Sequence, residues 1–249
     1  MSLDLNDLLR DWPHEPGQLK VRKILGSDGK EKIQLRIDLG VIQMETAGRP
    51  DGTEPHDCES LYEWHRSRLE RSEKKGDKFE LSPEEVADLQ AEGIQYYHRY
   101  IALFQLQDYL GVIRDTQRNL EMFEFVEKHT SNEDLAWSVV QFTPYVRMMN
   151  TRAKASLAIE REDLAEAVKL IEKGIDKIKE FYQENGNPEM AEQSPELSFL
   201  TEWLQEVRDK RPLTKIERMQ REMDEAIKAE AYEKAAQLRD MIRALNTKK

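Results

Sequence analysis

"EAYEKAAQLRD" (residues 230–240) sets two alanines, Ala235 and Ala236, and the Arg239-Asp240 pair at helical spacing near the end of a 249-residue chain. It is one half of a longer pattern. Across residues 213–246 apolar side chains fall at Ile216, Met219, Met223 and Ala226, then at Ala235, Leu238, Ile242 and Leu245, with a break around Ala229 to Ala231. Alternating three-four spacing is the seam of a coiled coil, so two short helices joined as a hairpin are expected. The alanines allow close backbone approach. A unit below about 40 residues does not hide enough apolar surface to be stable alone, which predicts that another surface covers this one.

The other end of the chain has a different period. "QLKVRKILGSDGKEKIQLRIDLGVIQME" (18–45) alternates apolar and polar residues on both sides of Gly26–Gly29, the pattern of a half-buried β-hairpin whose turn uses glycine or aspartate. Val21, Ile24, Ile33, Leu35, Ile37 and Leu39 are its expected covered face. Gly26, Gly29 and Lys30 do not make a phosphate loop, which needs four residues between its glycines and Ser or Thr after the lysine, where Glu31 stands here. "QMETAGRPDGTEP" (43–55) is rich in Gly, Pro and charge and predicts a loop. Gln43, Glu45, Arg49 and Asp51 are the candidate ligand-binding residues there, against the plainer expectation that Asp51-Gly52 is a tight turn.

From residue 57 onward the chain predicts one helix after another. Ser82-Pro83-Glu84-Glu85 is a capping box, and Thr143-Pro144 and Ser194-Pro195 repeat the cap-then-proline opening. Thr214 and Glu217 predict a further box, and "NGNPEMAEQSP" (185–195) a loop before a helix bearing Phe199, Leu200, Trp203 and Leu204. Shifting the sequence by 55 residues brings Phe104 onto Ile159, Asp108 onto Asp163, Val112 onto Ala167, Ile113 onto Val168, Arg114 onto Lys169 and Leu120 onto Ile175. This repeat resembles tetratricopeptide-type helical hairpins, although their period of about 34 residues is not kept. Stacked hairpins leave a concave groove suited to peptides.

The tail carries a second resemblance. "KIERMQREMDEAIKAEAYEKAAQLRDMIRALN" (215–246) resembles the UVR motif of the excinuclease B and C subunits and of bacterial Clp chaperone systems, on Tyr232, Glu233, Ala235, Ala236, Leu238, Arg239, Asp240, Ile242 and Leu245. The resemblance implies a bacterial protein whose hairpin makes protein contacts through Met219, Met223, Tyr232, Ala235, Ala236, Leu238, Arg239, Asp240, Ile242 and Leu245. Tyr232 is expected to fill the open end of the hairpin, and Arg239 to pair with Glu222 or Glu225 across it. The chain has no P-loop and a single cysteine, so neither the helicase chemistry of the B subunit nor the zinc-binding cysteine pairs of chaperone-linked members is expected.

Composition narrows the remaining classes. A net charge of -11 argues against a protein that coats nucleic acid or an anionic membrane, both of which need a basic face. Cys58 alone cannot make a disulfide within the chain, which fits a reducing compartment, and no 18-residue apolar run is present, so a cytoplasmic protein off the membrane is expected. His56, Asp57, Cys58 and His65 are spaced more widely than zinc-ligand pairs, and neither a metal nor a cofactor is expected. Arg211, Lys215, Arg218, Arg221, Lys248 and Lys249 form a basic fringe at the hairpin's ends without interleaved aromatics, which favours an acidic protein surface over nucleic acid.

The expected organisation is mainly α (α+β): an N-terminal β-hairpin module (1–57), a TPR-like antiparallel helical array (58–210) and a UVR helical hairpin (211–249). The expected function is docking to a protein partner or to a second copy. The alternatives are an enzyme or small-ligand binder using the 43–51 loop, and a DNA-repair accessory factor.

Overall fold

Gly26 and Gly29 turn the chain as their spacing predicts. Gly26 donates its amide to the Lys30 carbonyl at 2.8 Å, and Gly29 takes the positive φ of 74° that favours glycine. The turn joins strand β1 (Lys20–Leu25) to β2 (Glu31–Ile37), and a second turn at Asp38-Leu39 leads to β3 (Gly40–Glu45), giving an antiparallel sheet in the order β1-β2-β3. The computed structural model describes residues 4–210, 215–228 and 231–246, and the chain falls into two units, 1–204 and 205–249.

Three expectations change at the sheet. The hairpin has a third strand, because "GVIQME" continues the alternation after the tight turn, so Gln43 and Glu45 belong to β3 and the loop begins at Thr46. Leu39 sits in the second turn, 89% exposed, and Ile37 closes β2 beside it, so neither belongs to a covered face. Ile24 pairs with Lys32 while Val21 pairs with Leu35, which places Ile24 on the face opposite Val21, Ile33 and Leu35 because the side-chain period of a strand is two. Ile33, Leu35 and Met44 are buried. The second face is polar and fully paired at its centre, where Arg22 Nε donates to Gln34 Oε1 (2.8 Å) and Gln34 Nε2 donates to Gln43 Oε1 (2.9 Å) across all three strands.

A short helix α1 (Leu5–Leu9) precedes the sheet, and a helical array follows it: α2 (Leu61–Lys75), α3 (Pro83–Gln105), α4 (Tyr109–His129), α5 (Glu133–Val140), α6 (Thr143–Glu160), α7 (Leu164–Glu184) and α8 (Pro195–Lys210). The α3 capping box forms as predicted, with Glu85 N–H donating to Ser82 Oγ and Ser82 N–H to Glu85 Oε2. Ser194 caps α8 through Leu197 N–H. Thr143 is not the cap of α6, which opens one residue earlier at Phe142 with no side-chain bond; the Thr143 side chain is buried instead. Thr214 lies outside the described residues, as does the side chain of Glu217.

The 55-residue repeat has a physical counterpart. α3 ends where Gln107 takes φ 59° and Asp108 N–H reaches Leu103 O at 2.9 Å; α6 ends where Glu162 takes φ 59° and Asp163 N–H reaches Ala158 O at 2.9 Å. Each aspartate then caps the next helix, Asp108 through Gly111 N–H and Asp163 through Glu166 N–H. Two helical hairpins, α3-α4 and α6-α7, thus share one turn chemistry, and α4 packs on α6 between them. Their core runs through Leu81, Val86, Leu89, Met122, Phe125, Val126, Val139 and Val146, with Tyr62 of α2 against it.

Candidate functional site

The α3 and α4 seams contain charges where apolar residues are expected. Along α3 the three-four stripe reads Leu89, Glu92, Tyr96, Arg99, Leu103, and along α4 Val112, Asp115, Asn119, Met122, Val126. Arg99 donates from Nε to Asp115 Oδ2 at 2.7 Å and from Nη2 to Oδ1 at 2.8 Å, and its Nη1 reaches the Glu45 carbonyl at 3.2 Å. Arg114 bonds Asp115 and the Thr46 carbonyl at 3.0 Å. The end of β3 is therefore tied to the helices by two arginines.

A second buried group surrounds Glu92. Its carboxylate accepts the free amides of Leu61 (2.8 Å) and Tyr62 (3.2 Å) at the start of α2, and it pairs with Arg118 and, at 3.5 Å, with Arg49. An acid at a helix N-terminus satisfies orphan donors and the helix dipole together. Arg118 lies over the rings of Tyr62 and Tyr96, with centroids at 5.3 and 4.2 Å. Burial pushes Tyr96 up to about 12 and lowers the Arg118 guanidinium to about 9, so at neutral pH the phenol is neutral and the guanidinium charged.

The four candidate loop residues feed into these networks. Gln43 completes the sheet's polar ladder, and the Glu45 carboxylate pairs with Lys32. Arg49 lies between Asp51 and Glu92, and Asp51 also accepts Thr53 N–H, Thr53 Oγ1 and Gln95 Nε2. Burial alone would raise the Asp51 carboxyl; the Thr53 and Gln95 hydrogen bonds and Arg49 outweigh it and hold the carboxyl below its ordinary value. The turn expectation also holds, since Gly52 N–H reaches Arg49 O at 2.9 Å with φ 75° at Gly52. The Gln43 and Glu45 side chains thus bond within the sheet, while Arg49 and Asp51 tie the loop to α3. Of the four dispersed metal candidates, His56 stacks on Trp64 at 3.9 Å and His65 is buried against Arg68, whose Nη1 lies 3.0 Å from Nδ1.

In the second unit, α9 (Lys215–Lys228) and α10 (Tyr232–Asn246) pack on each other, and Ala231 N–H returns to Ala226 O at 2.8 Å to close the turn. Met219, Ala226 and Leu238 are buried, and Met223, Ala236 and Ile242 are half-buried. Tyr232 is 66% exposed, so its ring does not fill the hairpin's end; Met241 and Ile227 are 53% and 48% exposed. Arg239 bonds Asp240 on its own helix (2.8 and 3.0 Å), in the open. The side chains of Ile216, Ala235 and Leu245, and those of the basic fringe residues Arg211, Lys215, Arg218, Arg221, Lys248 and Lys249, lie outside the described residues.

Compared with known families, residues 214–248 match the UvrB/uvrC motif. The match falls on the C-terminal hairpin. No curated protein and no solved structure matches the chain. Among the described residues no helix is long and apolar enough to cross a membrane.

The charged seam escaped sequence reasoning, though a signal was present. Glu92 and Arg99 stand within the α3 stripe between the apolar Leu89, Tyr96 and Leu103, and Asp115 follows Val112 on α4; charge at such positions implies a buried partner.

Proposed function

We propose that this protein is an adaptor that holds a second protein, or a second copy of itself, through the UVR hairpin. The observation that supports it is exposed apolar surface on a motif of known type: Tyr232, Met241 and Ile227 remain open on the hairpin, while Met219, Ala226 and Leu238 hold it together. Covering ~300–500 Å² of such surface at ~25 cal/mol per Å² gives on the order of 10 kcal/mol before association costs reduce it, which suits a contact of moderate affinity. The repeated turn at Gln107 and Glu162 favours a tetratricopeptide-like array as the body that the hairpin serves. The single cysteine suits a reducing compartment such as the cytoplasm of a bacterium.

The experiment separates contact from folding. Leu238 is buried, so an aspartate there disrupts the hairpin itself, whereas Tyr232→Ser with Met241→Ser removes only exposed surface. The double variant is expected to weaken self-association, read by sedimentation equilibrium, or partner capture, read by affinity purification beside the full chain and a chain ending at residue 210. If association and capture are both unchanged in the double variant and in the shortened chain, the hairpin is not the contact surface.

A further inference from the structure

A trough of about 550 Å³ lies over α6, between α4 on one side and α7 on the other. Its α6 floor presents Arg147 and Lys154, its α7 wall Lys173, Lys177 and Glu184, and its α4 wall Glu121, Glu127 and the Glu124–Lys128 ion pair. Among the described residues none of the four cations has an ion-pair partner, and the Arg147 Nε is buried without a hydrogen bond. Lys154 is half-buried, and its ammonium is pushed below its ordinary value by burial first and then by Lys177 and Lys173. In a chain of net charge -11, the four cations of the α6 floor and α7 wall make that side of the concavity basic, opposite the glutamates of α4.

We propose that this trough binds an acidic peptide segment, whose carboxylates meet the α6 floor and the α7 wall. Charge complementarity selects an anion, and the layout of the cations selects its form. Arg147 and Lys154 are two helical turns apart, about 10 Å along α6, so one phosphate or carboxylate cannot serve both. In a polyproline II segment, with three residues per turn and a rise of about 3.1 Å, acidic side chains three residues apart share one face and stand about 9 Å apart. Lysine and its ammonium suit separate carboxylates as point charges, without the planar pairing that arginine prefers. The exposed glutamates of α4 repel a ligand that is densely anionic all round, such as a polyphosphate, and accept the amide donors or basic side chains of a peptide's other edge. The residues of the trough all belong to the first unit, and the proposal does not depend on the adaptor role proposed for the UVR hairpin.

The test uses the full chain and a labelled peptide of about nine residues with glutamate at every third position, followed by fluorescence anisotropy. The expected result is binding that is lost when the glutamates become glutamines, and at least tenfold weaker in the triple variant Lys154→Gln, Lys173→Gln, Lys177→Gln. A charge-reversed variant, Lys154→Glu with Lys177→Glu, is expected to lose the acidic peptide and gain one with lysine in place of glutamate, which a misfolded chain would not do. Equal affinity for the glutamate and glutamine peptides overturns the proposal, as does an unchanged triple variant. Inorganic triphosphate binding in the trough more tightly than the peptide also overturns it and makes the trough a small-anion site.

Discussion

Arg99 holds Asp115 by two hydrogen bonds, Nε to Oδ2 at 2.7 Å and Nη2 to Oδ1 at 2.8 Å, with the two side chains 1% and 0% exposed. Removing one member strands a charge in the interior. Asp115→Ala is expected to cost about 3–5 kcal/mol, read from the urea unfolding midpoint. Arg99→Met combined with Asp115→Leu should recover most of that loss, because an apolar pair of similar volume carries no desolvation penalty.

Gly174 of α7 faces Thr151 of α6 so closely that an added Cβ would stand 2.3 Å from Thr151 Oγ1. The glycine is kept for space, since helix propensity by itself favours alanine. Gly174→Ala is expected to destabilise the chain by about 1–3 kcal/mol. Adding Thr151→Ala should reverse most of the effect in a thermal melt, and no reversal would mean that contact with Thr151 is not the cause.

The repeated turns predict paired effects. Asp108→Ala and Asp163→Ala each remove a helix cap and should each cost about 1 kcal/mol. Gln107→Gly and Glu162→Gly relieve a side chain at positive φ and should each raise stability by about 0.5–1 kcal/mol in denaturant titrations.

Burial pushes His65 down to about 4, with Arg68 and His56 adding to the shift and Glu85 opposing it. The folded chain therefore keeps this imidazole neutral, whereas the unfolded chain protonates it near the ordinary 6.5. Its contribution is complete above about pH 6.5 and falls away as pH drops toward 4, by on the order of 1–3 kcal/mol. Burial lowers His98 and His129 in the same direction. Equilibrium unfolding measured across that window should show a shallower slope in His65→Gln than in the wild type; equal slopes would remove His65 from the acid response.

Local chemistry made much of this fold readable. Ser82 and Glu85 specify a helix start by themselves, Gly26 and Gly29 a turn, and Asp108 and Asp163 the two caps that mark the repeat. The third strand was harder, because Gln43 and Glu45 look like loop residues until their partners Gln34 and Lys32 are beside them. The candidate loop was found, but the destination of its side chains was not. Arg49 and Asp51 are polar residues in a turn by sequence and partners of α3 by structure, since Glu92 and Gln95 reach them.

The sequence by itself determined the elements, the repeat of 55 residues and the UVR hairpin, because periodicity, caps and motif order act between residues a few positions apart. Only the tertiary structure decided which charges are buried together and which are left unpaired. Arg99 meets Asp115, and Lys154 meets Lys173 and Lys177, through the packing of separate helices, and the energy of a charge depends on what that packing brings beside it.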